Sequence, residues 1–97
     1  GMIISNEPGY YKTGAYGIRC ENLVIVEERD VEGAERAMFG LETITLAPFD
    51  LTLIALELLS ADERNWLNLY HRRVREVLTP LLDDEVGRWL ADATREI

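Results

Sequence analysis

The sequence predicts an α+β fold: a small, bent antiparallel sheet from the first half of the chain, followed and covered by two carboxy-terminal helices. Residues 2–46 are rich in β-branched and aromatic side chains separated by glycine and proline, which is typical of short strands and turns. After Pro48 the apolar residues recur at the spacing of a helix instead. The chain of 97 residues therefore divides into a strand region, 1–47, and a helical region, 48–97.

The first strand and a hairpin are predicted before residue 16. A short apolar run at residues 2–5 indicates the strand. The strand ends at residues 6–9, because Pro8 biases Glu7 toward an extended conformation and Gly9 allows the chain to change direction. Residues 12–14, which include a glycine, are the expected tip of the hairpin.

The remaining strands are predicted from two longer runs. Residues 16–28 indicate either one long strand or two strands that meet at a bend near Glu21 and Asn22. Residues 29–36 are charged and contain a glycine, so they are expected to form a solvated turn. Residues 39–46 alternate between two faces and predict a further strand.

Helices are predicted after a crossing segment with one or two short helical turns at 51–59. Ser60 and Glu63 have the spacing of a capping box, so a helix should start there, and Pro80 should end or kink it. The acidic run at 83–85 favours the start of a last helix. The predicted apolar stripes are Trp66, Leu67, Tyr70, Val74, Val77 and Leu81 on the first helix, and Val86, Trp89, Leu90, Ala93 and Ile97 on the second.

Composition excludes several functions. The chain has 10 basic and 18 acidic residues, and its net charge of −8 argues against nucleic acid or an anionic membrane as a partner. Cys20 is the only cysteine, which excludes an intrachain disulfide and fits a reducing cytoplasm. No apolar run reaches the roughly 20 residues that span a bilayer. Gly1 and Met2 have the form of a processing remnant ahead of a start methionine, and the strand that follows at once suggests a piece of a longer protein.

Two carboxylates lie in strand-like surroundings where an unpaired charge is costly to bury. Glu7 and Glu21 are separated by a glycine-bearing turn, so an antiparallel hairpin can bring them side by side. Adjacent carboxylates repel each other unless a proton or cation lies between them. Oxygen ligands of this kind favour hard cations such as manganese or magnesium, and a pair of them can help to bridge two metal ions.

The sequence here resembles a known family. Glu-Pro-Gly-Tyr-Tyr at residues 7–11, followed by Gly-Ile-Arg-Cys-Glu-Asn-Leu-Val at 17–24, is similar to the closing part of the metal site in Xaa-Pro aminopeptidases of the creatinase-like, pita-bread metallopeptidases. The likeness continues through 48–50 and 61–71 to Trp89 and Leu90, and it covers nearly the whole chain. It implies that 1–47 are closing strands of the catalytic domain and that 48–97 form the carboxy-terminal extension of aminopeptidase P.

The resemblance also implies roles for single residues. Glu7 matches the glutamate that binds one metal ion and assists proton transfer, and Glu21 matches the glutamate that bridges both. Two divalent ions, Mn²⁺ first among them, would activate water for attack on the carbonyl that precedes a proline in second position. Arg19 matches a residue that braces the carboxylates, and Tyr10 is expected to share this role.

The family's other ligands, two aspartates and a histidine, have no counterpart in this sequence. His71 falls in the helical extension, is expected at the surface or at an interface, and cannot replace the missing histidine ligand. The isolated chain is therefore predicted to be inactive, with or without bound metal. Larger family members pair through their carboxy-terminal regions, and the aromatic stripes therefore also fit a structural module of a homo-oligomer. A free-standing chain that binds a cation without catalysis is a third hypothesis.

Without the resemblance, simpler interpretations apply to the same residues. Glu7 and Glu21 would be salt-bridged strand residues, with Arg19 as the partner. Cys20 would be a small strand residue, because a nucleophile needs a histidine partner and none is near in the sequence. The aromatic stripes would serve core or subunit contacts.

Overall fold

The computed structural model describes residues 1–97 and confirms the α+β fold class. It contains strands β1 to β5 and helices α1 and α2, at Ile3–Asn6, Gly9–Lys12, Tyr16–Arg19, Asn22–Arg29, Met38–Thr43, Ala61–Leu78 and Asp84–Ala93 respectively. Short 3-10 turns occupy 51–53, 56–58 and 79–81. The chain forms two compact units, Gly1–Thr45 and Leu46–Ile97.

The first unit holds two antiparallel sheets. One is a three-stranded sheet in the order β1-β4-β5, and the other is the β2–β3 hairpin. The predicted hairpin tip is confirmed: Gly14 has a φ of +70°, and the Ala15 N–H donates to the Lys12 carbonyl at 3.0 Å. Of the two alternatives for 16–28, two separate strands are correct.

The β4–β5 ladder ends at a side chain. The Ile44 N–H donates to the Leu23 carbonyl at 2.9 Å. In a regular antiparallel pair the Leu23 N–H would return a bond to the Ile44 carbonyl, but it donates instead to the Thr45 hydroxyl oxygen at 2.7 Å. This strand therefore ends at Thr43, earlier than the predicted Leu46.

Both helices of the second unit start at the predicted caps. The Ser60 hydroxyl accepts from the Glu63 N–H at 3.2 Å, and the Glu63 carboxylate accepts from the Ser60 N–H at 2.8 Å. The bond from the Ser60 N–H, with a smaller contribution from the Ser60 side chain, stabilises the charged carboxylate and lowers the pKa of Glu63. At α2 the Asp83 carboxylate accepts from the Val86 N–H at 2.9 Å. Pro80 lies in the 3-10 turn that follows α1.

The core of the second unit contains part of each predicted stripe. Its buried members are Leu67, Tyr70, Val74 and Leu90. Trp66 and Trp89 from the same stripes keep 50% and 60% of their surface exposed, so these stripes extend beyond the core. Neither helix is both long and apolar enough to cross a membrane.

The predicted surface or interface position of His71 is wrong. Its side chain is 1% exposed, and its Nε2 accepts from the Phe49 N–H at 2.9 Å. An accepting Nε2 carries no proton, so the proton of the neutral ring lies on Nδ1, which has no hydrogen-bond partner. The adjacent Tyr70 hydroxyl donates to the Ala47 carbonyl at 2.8 Å. Two consecutive α1 residues thus hold the backbone of the crossing segment.

This arrangement predicts a pH-dependent stability. Burial, with a smaller contribution from the Arg75 charge, lowers the pKa of His71 below 6.5. Below pH ~6.5 the unfolded chain takes up a proton on this ring before the folded chain does. The free energy of unfolding should therefore fall as the pH decreases from 6.5 toward the folded-state pKa.

Urea denaturation between pH 5 and 7.5 measures this effect. The matched control is His71→Gln, whose amide oxygen can accept the same N–H and does not titrate. Because His71 is the only histidine, the difference between the two pH profiles isolates its contribution. Parallel profiles would contradict the prediction.

Candidate metal-ligating site

Glu7 and Glu21 lie opposite each other between the β1–β4 and β2–β3 ladders of the first unit. The pairs on either side, Asn6 with Asn22 and Gly9 with Arg19, belong to one continuous antiparallel register. Continuing that register through the gap places Glu7 across from Glu21. Their pair is of the type without backbone hydrogen bonds, in which side chains come closest.

Proline explains why the ladder is interrupted at this point. The Cys20 N–H donates to the Pro8 carbonyl at 3.0 Å, but Pro8 has no N–H with which to return the bond. The strands therefore stop on both sides of residues 7–8 and 20–21 while their register is kept. The same proline that breaks the ladder leaves two carboxylates facing each other at the break.

One face of the hairpin carries the polar cluster. Because side chains alternate along strands, Tyr11, Gly17 and Arg19 lie on the same face as Glu7 and Glu21. The Tyr11 ring lies against the bare backbone of this face: a Cβ on Gly17 would come within 2.8 Å of the Tyr11 Cδ1 atom. A Cβ on Gly9 would likewise come within 2.7 Å of the Tyr11 hydroxyl oxygen. The two glycines make room for this ring.

Arg19 connects the members of this face. Its Nε lies 3.0 Å from the Glu21 carboxylate, and both side chains are partly exposed. The Glu21 charge, a hydrogen bond with Tyr11 and, more weakly, the Glu7 charge raise the pKa of Arg19 above its usual value. Exposed ion pairs add little to stability. The main structural effect of Arg19 is to orient Glu21 and Tyr11.

Tyr10 and Cys20 lie on the opposite face of the hairpin. The Tyr10 ring packs near Tyr16, with 6.1 Å between ring centroids, and it does not adjoin the carboxylates. The tyrosine beside Arg19 is Tyr11, so a bracing role for Tyr10 is not supported by this geometry. Cys20 is exposed. Two-residue alternation counted from Glu7 through Gly9 could have identified Tyr11 from the sequence.

The carboxylates suit part of a metal site. They supply only oxygen donors, they face each other, and one positive side chain holds Glu21, which fits a hard divalent cation. No group of three or more His, Cys, Asp or Glu side chains in residues 1–97 could hold a metal ion. Glu7 and Glu21 could therefore supply two ligands of a metal site at this position, but not a full set.

Comparison with known proteins agrees with the fold. The family described as the C-terminal region of peptidase M24 matches residues 37–97. A crystal structure of the X-prolyl aminopeptidase from Caenorhabditis elegans, described as a cytosolic enzyme with a di-nuclear active site, is similar with a TM-score of 0.84 and 33% identity. The similarity covers 98% of this chain and 16% of the C. elegans chain.

Relatives in sequence are longer proteins. Aminopeptidase P1 of Lotus japonicus is 46% identical over 99% of this chain. A probable Xaa-Pro aminopeptidase P of Coprinopsis cinerea is 42% identical over the whole chain. The chain spans only 15% and 16% of these two relatives.

The packing of Tyr11 predicts the effect of a single methyl group. Gly17→Ala should push the Tyr11 ring aside, because the added Cβ would lie 2.8 Å from a ring atom; the loss of stability should be below the ~1–3 kcal/mol typical of overpacked cores, since Tyr11 is exposed and its ring can rotate away. Changed Tyr11 ring and Arg19 Nε–H resonances would report the movement. Gly87→Ala is the matched control, because its Cβ meets no atom within 4 Å. Unchanged resonances in Gly17→Ala would contradict the prediction.

Proposed function

The chain belongs to the M24 peptidase family, and we propose that it is the carboxy-terminal part of a metal-dependent Xaa-Pro aminopeptidase. Such an enzyme releases the amino-terminal residue that precedes a proline. The observation that carries the proposal is the opposition of Glu7 and Glu21 on one hairpin face, with Arg19 paired to Glu21. Residues 1–47 then belong to the catalytic domain and 48–97 to its carboxy-terminal extension.

The two glutamates would take different roles in this proposal. Both would hold divalent ions, for which Mn²⁺ is our assignment: Glu21 would be a ligand shared by two ions, and Glu7 would be a ligand of one and would accept or return a proton during the reaction. The di-nuclear active site of the C. elegans relative supports two ions. Bound metal ions would lower the pKa of a water molecule and polarise the peptide carbonyl.

Arg19 and Tyr11 position the ligands. The Arg19 Nε lies 3.0 Å from one Glu21 oxygen, and each oxygen of the carboxylate has a further lone pair with which it could bind a cation. The Tyr11 ring lies over Gly9 and Gly17 on the same face as Arg19 and would limit where the guanidinium can move. Outer contacts of this kind fix the direction in which a ligand points.

The isolated chain should not catalyse the reaction. Two carboxylates form a weak, open site, and the two aspartates and the histidine expected from the family are not in this sequence. They would come from a preceding part of a longer protein, as in the relatives of which this chain spans about 15%. We place that protein in the cytoplasm, in agreement with the description of the C. elegans enzyme.

A second candidate function is self-association. Trp66 stacks on Tyr70 with 5.4 Å between ring centroids and still exposes half of its surface, and Trp89 exposes more. Aromatic side chains exposed in this way favour protein contacts. The second unit would then join two copies of the enzyme, and both proposed functions can hold in one protein.

Peptide hydrolysis tests the first proposal. The purified 97-residue chain with added Mn²⁺ should not cleave a Xaa-Pro-Xaa tripeptide above a Glu21→Ala control. The full-length protein should cleave it, and Glu21→Ala there should reduce kcat by more than the roughly 10- to 100-fold typical of outer contacts. Glu21-dependent turnover by the chain alone would show that it assembles a working site unaided.

Sedimentation tests the second proposal. The chain should associate as its concentration rises, since half-exposed aromatic rings and unpaired strand edges favour contacts between copies. Trp66→Ala and Trp89→Ala should weaken association, whereas Leu53→Ala, at a more exposed apolar position off both helices, should not. A monomer at all concentrations would count against this function.

Measuring metal binding distinguishes these proposals from the third hypothesis, in which the chain binds a cation without catalysis. Calorimetry should find only weak Mn²⁺ affinity in the isolated chain. A tight site that Glu21→Ala abolishes, without peptide cleavage by the full-length protein, would favour the non-catalytic alternative.

A further inference from the structure

We propose that Thr45 is a positioning residue for Glu21. Its hydroxyl fixes the start of β4 and, through it, the path along which Glu21 enters the carboxylate face. The inference rests on the proposed function, because it assigns Thr45 a part in the geometry of that same metal site.

The hydrogen bonds around Leu23 carry this inference. Leu23 is the β4 residue nearest the start of the strand that bonds toward β5, and Glu21 lies two positions before it. On this side Leu23 makes two bonds: it accepts from the Ile44 N–H at 2.9 Å and donates to the Thr45 hydroxyl at 2.7 Å. The second bond is the shorter one, and a side chain supplies it.

Glu21 itself belongs to neither β3 nor β4. Residues 20 and 21 separate β3 from β4, because Pro8 cannot complete the pairing across the gap. The chain that leaves Glu21 is held from the β1 side by the pairing of Asn22 with Asn6. From the β5 side it is held first by Thr45. Removing the hydroxyl takes away the bond at the Leu23 N–H, which is nearer to Glu21 along the chain, while the Ile44 bond to the Leu23 carbonyl remains.

The surroundings of this bond suggest an effect on geometry more than on folding. The bond is exposed, and Leu23 itself is 44% exposed, so water can replace the hydroxyl as acceptor for the Leu23 N–H. Water does not fix the direction of the strand. Small displacements of a ligand near reacting groups have large effects on rate.

The experiment uses the full-length protein with Mn²⁺ and three variants. Thr45→Val keeps the shape of the side chain and removes the acceptor, whereas Thr45→Ser keeps the hydroxyl. Thr13→Val, in the hairpin turn, controls for the same exchange away from the site. The measurements are the Mn²⁺ Kd by calorimetry, kcat and KM for a Xaa-Pro-Xaa peptide, and Tm.

Thr45→Val should weaken Mn²⁺ binding and lower kcat by several-fold, less than the roughly 10-fold lower limit for loss of a direct contact to a ligand, because Thr45 reaches Glu21 only through the backbone; KM and Tm should be nearly unchanged. Thr45→Ser should restore both, and Thr13→Val should match the unaltered protein. Equal Kd and kcat in Thr45→Val, or a Thr45→Ser variant as impaired as Thr45→Val, would overturn the inference while leaving the proposed function intact. An unaltered protein that neither binds Mn²⁺ nor cleaves the peptide would overturn both.

Discussion

A single antiparallel register runs through the β1–β4 and β2–β3 ladders of the first unit, and the candidate site depends on it. The β1–β4 and β2–β3 pairings stay in phase across a gap of two residues on each side. A shift by one residue would move each glutamate to the other face or oppose it to a different residue. Pro8 opens the gap by withholding a backbone donor, and Cys20 preserves the phase through its bond to the Pro8 carbonyl. Glu7 and Glu21 meet as a consequence.

On the same face, two glycines and the positive charge of Arg19 accommodate the carboxylate pair. Gly9 and Gly17 let the Tyr11 ring lie on the backbone, on the same face as the ion pair between Arg19 and Glu21. Arg19 offsets part of the repulsion between opposed carboxylates. The interpretation as a salt-bridged strand pair and the interpretation as metal ligands are therefore compatible, because a partly exposed ion pair can orient a ligand without neutralising it.

The second unit is organised by contacts from α1 to an irregular segment. Tyr70 and His71 bind the backbone of Ala47 and Phe49, which have no strand or helix partners of their own. Buried backbone groups need such bonds. The Phe49 ring packs against the same Tyr70, with 5.3 Å between centroids, so one position on the helix provides both a hydrogen bond and apolar contact.

Local chemistry was enough to predict the fold class, both helix caps, the hairpin tip and a hairpin that can oppose Glu7 and Glu21, because these features follow from turn glycines, capping side chains and strand spacing. The tertiary structure established that Tyr11 adjoins Arg19: alternation along the strand points to this tyrosine, but only the pairing observed on both sides of Pro8 shows that the alternation continues there. It also decided the burial of His71. A lone polar residue at helical spacing looks exposed until a distant segment, here Phe49, supplies its hydrogen bond. The role of Thr45 at the end of the β4–β5 ladder was hidden for the same reason, because Leu23 is far from it in sequence.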